Sequence, residues 1–561
     1  MTARGAPMAD ATLAGSTDAA GGQALPMRRP VLRGLFAPTS VTGSLSAYVP
    51  ATIAFRLINF VRLVLMTWWM TQSQYGLFNL LLIVINVLTP LCSLGLNEAV
   101  TRYAPMHETR GSLFDFVRRS LVLISLLAVL SIALLAVAAP LLGVRFYGQF
   151  TVDAAVLAQM RADQGELARL SSMVIGLLMF YFYLLSVMKG LRMYRALALM
   201  ELFHGVVFLV LAVVAAVTQH RSAFTMTACY GLSLVAAIIP FGIGLWSVLR
   251  QLPDARLPID DPTFAGRLLR FSLWATVASV LWQVLQYYPA WYLNKISGPE
   301  SVAVFSAVRQ IGQFVLVGAV AIVTVVMSQV TKTWEREGPI EAQRQLSLAF
   351  RAVGLVLLMG CMVLAVGRHL VMRLYAHGYA VGADILPVQL LFFLMGGHLA
   401  FLAIHFNLIE KPRHLFWPWA IGVGSNVLLA ALLMNDAYSQ WRASAMWKAI
   451  EPMLAAVLPL GVSDAMKLGA ATWSGSLAVV LSLLTCLWLL RYVGRRLDGG
   501  SWLILSATLL LAMRSELMLA GGVAILLIAW RTGWLFSDNE RRQLSGYMRS
   551  MLRMRNPVAR P

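Results

Sequence analysis

Apolar positions in this chain come in long unbroken runs, not in alternation with polar ones. Fourteen such runs can be delimited, at about 45–70, 76–97, 118–142, 170–189, 196–217, 224–249, 270–293, 302–329, 348–371, 384–409, 415–434, 468–490, 501–514 and 517–536. A run of 18 or more apolar residues is long enough to cross the roughly 30 Å of bilayer hydrocarbon. Lipid offers no hydrogen bonds to backbone amides, so a spanning segment must be a helix or part of a closed barrel. A barrel strand alternates apolar and polar residues, and these runs do not. The pattern predicts an all-α polytopic membrane protein with about 14 transmembrane helices. The thirteenth run is the shortest, and it is expected to form a tilted or re-entrant pair with the fourteenth.

Composition agrees with this reading. Hydrophobic residues make up 59% of the 561 and charged residues 12%, about half the charge of an ordinary soluble chain. A net charge of +20 would suit a nucleic-acid partner, but the distribution of the charge excludes that reading. With the N-terminus inside, the inner loops and tails carry about three times as many Lys and Arg as the outer loops. Arg118, Arg119, Lys189, Arg192, Arg195, Arg491, Arg495 and Arg496 are among them. The excess therefore sets topology: both termini are expected in the cytoplasm, and the chain in the cytoplasmic (inner) membrane of a bacterium. Cys92, Cys229, Cys361 and Cys486 all fall in apolar segments without ligand spacing. They read as small core residues, and no metal or other cofactor is expected.

The runs group into lobes. Residues 1–44 are rich in Ala, Gly, Ser and Arg and read as a disordered cytoplasmic tail. Runs one to six (45–249) form an N-lobe. The stretch "RQLPDARLPIDDPTFAGR", 250–267, is an interlobe linker. Runs seven to twelve (268–492) form a C-lobe that carries an outer-loop insert at 435–467. Residues 493–536 hold the last two runs. The tail, 537–561, places Leu544, Tyr547, Met548, Met551 and Leu552 on one helical face with Arg541, Arg542, Arg549 and Arg553 around it. Such a face suits the anionic lipid headgroups of the inner leaflet. A weak repeat relates the lobes: "SQYGLFN" at 73–79 and "ESVAVFS" at 300–306 stand at the same place in each, 227 residues apart. That offset sets Arg56 opposite Gln283 and Asn59 opposite Gln286.

The candidate chemistry lies inside the spans. "FRLINFVR", 55–62, puts Arg56, Asn59 and Arg62 within an arc of about 120° on one helix. An arginine at mid-bilayer costs roughly 2.5–3.5 kcal/mol on insertion scales, so this face should line a water-filled cavity and not lipid. "VFSAVRQIGQF", 304–314, adds Arg309 and Gln313 on a shared face, with Gln310 beside them. The embedded acids are few: Glu98, with Arg102 four residues on, and Glu201, near Arg195 and His204. A cationic pocket results, and guanidinium forks match phosphate oxygens. His204, His398 and His405 read as hydrogen-bonded helix contacts, and Asn426 as a bond across a helix interface.

Several segments resemble the polysaccharide and oligosaccharide flippases of the multidrug/oligosaccharidyl-lipid/polysaccharide (MOP) exporter superfamily. They are "QYGLFNLL" (74–81), "SLGLNEAVTRYAP" (93–105), "LLRFSLWATVAS" (268–279), "FSAVRQIGQF" (305–314), "GYAVGADILPVQLL" (378–391), "NVLLAALL" (426–433) and "GAATWSG" (469–475). The first helix is also similar to that of the lipid II flippase branch, which has an arginine pair at the spacing of Arg56 and Arg62. The resemblance implies a MOP-exporter-like fold of two six-helix lobes rocking between inward-open and outward-open states. It implies that Arg56 and Arg62 line the cavity for a diphosphate head, and that the two added C-terminal helices form a groove for a lipid tail. The insert at 435–467 departs from the family pattern.

The expected function is translocation of a polyprenyl-diphosphate-linked oligosaccharide, a cell-surface polysaccharide precursor, from the inner to the outer leaflet. Arg56, Asn59, Arg62, Gln283, Gln286, Arg309, Gln310 and Gln313 would form the substrate site. A polysaccharide polymerase or export machinery would be the protein partners. Two other readings stand beside it. One is a cation-coupled multidrug exporter of the same fold, which would want an embedded acid that the first span lacks. The other is a polytopic glycosyltransferase, polymerase or ligase acting on lipid-linked sugars, which would want clustered outer-loop acids or histidines. No Gly-rich phosphate loop with Lys is present, so no ATP site is expected.

Overall fold

A computed structural model of the chain describes residues 35–36, 41–109, 111–146, 154–251, 264–409, 411–434, 466–542 and 545. Every regular element among them is helical. In chain order they are α1 (Val41–Trp69), α2 (Gln72–Cys92), α3 (Leu96–Thr109), α4 (Leu113–Phe146), α5 (Ala154–Gly190), α6 (Tyr194–Val217) and α7 (Ala223–Arg250). Then come α8 (Phe264–Arg336), α9 (Pro339–Val366), α10 (Gly382–Leu408), α11 (Phe416–Leu433), α12 (Met466–Tyr492), α13 (Gly499–Thr508) and α14 (Ser515–Arg531). Each expected span overlaps one of these. By length and composition, ten of the described helical stretches could cross a membrane. The insert at 435–467 and the linker at 250–267 fall largely outside the described residues, as do most of the two tails.

Two differences from the expected layout have simple causes. Helix α3 occupies a stretch read as the end of span two and a loop. It has only 14 residues, and Glu98, Arg102, His107 and Glu108 interrupt its apolar positions, so it is too short and too polar to span. Glu98 is accordingly exposed and not embedded. The N-terminal segment is also not wholly a tail. Phe36 is 2% exposed and packs over Gly244 of α7, where a Cβ would lie 2.9 Å from its ring.

The expected seventh and eighth spans form the two legs of α8, which folds back at Gly298 (φ 79°, ψ 177°). A positive φ of this kind is open to glycine at no steric cost. The corresponding break between α1 and α2 falls at Thr71, which leaves the helix with ψ 153° and caps α2 by accepting a hydrogen bond from Gln74 N–H. Thr71 and Gly298 are separated by the offset of the sequence repeat, so the two turns stand in register. They also touch. Gly76 lies so close to the second turn that a Cβ there would fall 1.9 Å from the Pro299 carbonyl oxygen.

Helix α2 runs along α8 for its whole length, from Gly76 on Pro299 to the Gly95 turn against Ser272 and Thr276. At the end of the bundle remote from Arg118, Arg192 and Arg495, the lobes are pressed together. Trp68 Nε1 donates to the Leu374 carbonyl at 2.9 Å, and Gln72 Nε2 to the Glu300 carbonyl at 3.3 Å. Tyr75 meets Tyr379 edge to face at 5.9 Å, and Phe60 meets Phe314 at 5.7 Å. One apolar core therefore runs unbroken from Leu63, Met66, Phe78 and Met226 of the N-lobe into Phe305, Phe393 and Leu483 of the C-lobe. A second core, around Phe116, Met179 and Leu245, belongs to the basic end of the N-lobe.

Helices α13 and α14 form a short hairpin. The helical turns of Gly499–Ala512 rise only roughly 23 Å, less than the hydrocarbon thickness. Small residues hold the hairpin against the lobe: Gly354 of α9 faces Ile504, and Gly522 faces Met362. The two ends of the hairpin meet at Arg351 of α9, which is 6% exposed. Its guanidinium lies 3.2 Å from Asp498 and 2.6 Å from Glu540, and it also donates to the Leu535 carbonyl. Burial pushes the Glu540 carboxyl up, but the Ser537 amide and Arg351 outweigh it and hold it below the usual carboxylate value.

Replacing Arg351 by methionine leaves two acids without their cation and should cost about 3–5 kcal/mol. The expected outcome is earlier thermal unfolding in detergent and faster protease cleavage near residue 498. Glu540 contributes stability that is full above its unfolded pKa and is lost as pH falls through its lowered folded value. Acidification should therefore release the hairpin of the unaltered protein but change little in Arg351→Met.

Candidate substrate site at the lobe seam

The polar stripe of α1 lies against α6, and the two helices match rung by rung. Residues 201, 204, 205 and 208 share one face of α6 by their three- and four-residue spacing. Glu201 couples electrostatically to Lys189 and Arg56. Gly205 leaves room for the Phe55 ring, which would approach within 2.9 Å of a Cβ there. Phe208 receives Arg62, whose guanidinium carbon lies 4.1 Å from the ring centroid. Arg62 is thus buried against α6, while Arg56 and Asn59 on the same stripe are half-buried. His204 does not serve Glu201: its Nδ1 lies 3.0 Å from Ser233 Oγ.

Arg62 is 8% exposed and its Nε is buried without a hydrogen-bond partner. The surrounding groups are aromatic. Phe208 packs on Tyr230 at 5.2 Å, and Tyr230 packs on His204 at 5.4 Å. Arg309, on the second leg of α8, is 3% exposed. Its guanidinium carbon lies 3.8 Å above the Tyr287 ring, and its Nη2 donates to Gln286 Oε1 at 2.9 Å. Its Nε, too, is buried and unpaired. Arg62 of the N-lobe thus rests on Phe208, which packs on Tyr230, and Arg309 of the C-lobe rests on Tyr287. Neither arginine forms an ion pair among the described residues.

Of the expected residues, the structure joins Gln286 and Arg309 by a hydrogen bond, and Arg56 and Arg62 share one stripe of α1. Asn59, Gln283, Gln310 and Gln313 are half-buried, and of the candidate amides Gln286 alone bonds an arginine among the described residues. Phe208, Tyr230 and Tyr287 were not singled out from the sequence. The position of Phe208, four residues after His204 and so on the same helical face, is the signal that could have found it.

Magnitudes explain the arrangement. A desolvated cation–π contact is worth about 2 kcal/mol and a hydrogen bond to a charged group about 1.5–3. Together they offset the roughly 2.5–3.5 kcal/mol cost of Arg309 in the membrane interior. Arg62 has the ring but, among the described residues, no hydrogen bond. It is the less satisfied of the two, and the one with more to gain from an anion.

The two-lobed helical fold is that of MOP-superfamily transporters. Solved structures with this fold include an inward-facing multidrug resistance MATE family transporter (13% identity, 78% of this chain and 95% of that one, TM-score 0.57). The lipid II flippase MurJ in an inward closed conformation is similar to the same degree (13% identity, 86% and 97%, TM-score 0.57). A MOP superfamily transporter from Pyrococcus furiosus, described as having a binding pocket of reversed polarity, also matches (12% identity, 84% and 99%, TM-score 0.55). These likenesses show the fold. The family model for polysaccharide biosynthesis proteins matches residues 42–329, and the chain belongs to that family. No curated protein matches it by sequence. The fold is shared with the transporters and the flippase named above.

The pairing of Arg62 with Phe208 is open to a double-mutant cycle. Phe208→Leu should cost about 2 kcal/mol in detergent unfolding when Arg62 is present and much less in an Arg62→Met background, while Phe208→Tyr should be tolerated. Equal costs in both backgrounds would show that the ring merely fills space.

Proposed function

We propose that the protein moves a polyprenyl-diphosphate-linked oligosaccharide across the bacterial cytoplasmic membrane, from the inner to the outer leaflet, by alternating access. The observation that carries this reading is that Arg62 and Arg309, one from each lobe, are both buried against aromatic rings and form no ion pair among the described residues. A diphosphate is the ligand that two such guanidiniums accept best, since each fork can hold one phosphate. The family of the chain and the lipid II flippase among its fold relatives support a lipid-linked saccharide as cargo. A cationic drug would meet like charge at this seam.

Arg56 has a different part in this scheme. Glu201 of α6 attracts it, and an incoming phosphate would compete for it. The diphosphate would reach the seam from the basic end, because the opposite end is shut by Trp68, Tyr75 and Tyr379. The prenyl chain would stay in lipid while the sugars follow the head. With the inside negative, each negative charge carried outward gains about 2.3 kcal/mol per 100 mV, which can drive export without a nucleotide.

Reconstitution with a short-chain polyprenyl-diphosphate oligosaccharide tests this. Arg62→Ala should slow translocation at least about tenfold, the loss of one charge-assisted bond, with Arg309→Ala similar and Arg62→Lys intermediate. An imposed inside-negative potential should speed the unaltered protein. Normal translocation by both alanine variants would sink the assignment of the site.

A further inference from the structure

The sixth helix of each lobe ends on the same short phrase: "LWSVLR" at 245–250 in α7 and "LWLLRY" at 487–492 in α12. In each, a tryptophan precedes an arginine by about one turn at the basic end of the bundle. Tryptophan and tyrosine favour the membrane interface, where ring and headgroup meet. Both phrases also border a groove. In the C-lobe it has a volume of about 630 Å³ and lies between α11 and α12, walled by Trp417, Trp488 and Tyr492 and floored by Ile421 and Leu484, with His414 at one side. The rings of Trp488 and Tyr492 stack, with centroids 6.2 Å apart. They are 65% and 75% exposed, and Trp417 is 56% exposed, so the protein leaves these faces unused. Arg413 and Arg491, next in sequence to His414 and Tyr492, are exposed as well.

The N-lobe groove repeats the chemistry. About 590 Å³ in volume, it is lined by Leu121, Phe180, Ile243 and Trp246, with Arg250 at its edge. The Arg250 guanidinium carbon lies 5.4 Å from the Trp246 ring. Each groove is thus apolar with aromatic walls; Arg250 lines the one, and Arg413 and Arg491 stand next in sequence to residues that line the other.

We infer that each groove seats one anionic diacyl phospholipid of the leaflet at the basic end, its chain in the slot and its phosphate on the arginines. Charge complementarity selects this occupant. The chain's own C-terminal tail bears Arg549, Arg553 and Arg555 and would be repelled by the same rim, and a second copy would bring like charge to like. These sites are separate from the lobe seam, since none of their lining residues lies near Arg62 or Arg309.

Native mass spectrometry of the full-length protein, released from nanodiscs of equimolar phosphatidylglycerol and phosphatidylcholine, tests the inference. The expected result is up to two retained phosphatidylglycerol molecules per chain, with phosphatidylcholine largely lost. The double variant Arg413→Gln with Arg491→Gln should retain one fewer, its affinity falling roughly fivefold per arginine removed. Trp488→Leu should weaken the same site, whereas Trp530→Leu, on α14, should not. All these residues are exposed, so folding is preserved, and a melting curve without lipid serves as the check. Equal retention of both lipids, or unchanged retention in the arginine variants, would overturn the proposal. So would a lipid-free dimer that the Trp488 variant disperses, which would assign the groove to a second copy.

Discussion

A guanidinium cannot give up its proton at any pH a cell meets, so inside a membrane it must be solvated by something. In this protein that something is chiefly aromatic. Arg62 rests on Phe208 and Arg309 on Tyr287, and among the described residues only Arg309 adds a hydrogen bond, to Gln286. An ion pair would have solvated either arginine more completely, but it would also have cancelled the charge. A ring face stabilises a cation while leaving its N–H groups open to a stronger acceptor. The seam between the lobes is built around that compromise. Helix α6 matches α1 rung by rung, and α8 folds back so that Gln286 and Arg309 come from its two legs.

The closed end gives the seam its direction. The contacts that shut it are few and specific: an indole on a carbonyl, an amide on a carbonyl, and a cluster of tyrosine rings. The hydroxyls of Tyr75 and Tyr379 are buried without partners. A buried hydroxyl without a partner raises the energy of the state that holds it. Part of the energy needed to part the lobes at this end is thus already present in the closed form. The long packing of α2 on α8 forms the flank about which such a motion can turn.

Much of this was legible in the chain. Apolar runs marked the helices because lipid permits no other backbone, and the repeat marked the matching turns at Thr71 and Gly298. Asn426 was expected to bond across an interface and donates to the Leu285 carbonyl at 2.7 Å. His204 and His398 likewise bond Ser233 and Thr508. What the sequence hid was the company of each charge. An arc of polar residues on α1 says that this face avoids lipid, but water and an aromatic wall satisfy that demand equally. Choosing between them requires knowing that Phe208 and Tyr230 face the same point, which is a fact of tertiary packing. Arg351 was hidden for the same reason: its partners Asp498 and Glu540 lie far along the chain, at opposite ends of a hairpin.

That hairpin has a mechanical consequence. Helices α13 and α14 start and finish at the Arg351 clamp, and the first of them is too short to reach the far side of the hydrocarbon. A hairpin of that length displaces more lipid from the monolayer it occupies than from the other, a local taper. A tapered inclusion senses spontaneous curvature: lipids whose own shape relieves the taper lower its elastic energy, and lipids of the opposite shape raise it. Releasing the clamp would change the taper, which links a single buried arginine to the lateral stress of the surrounding bilayer.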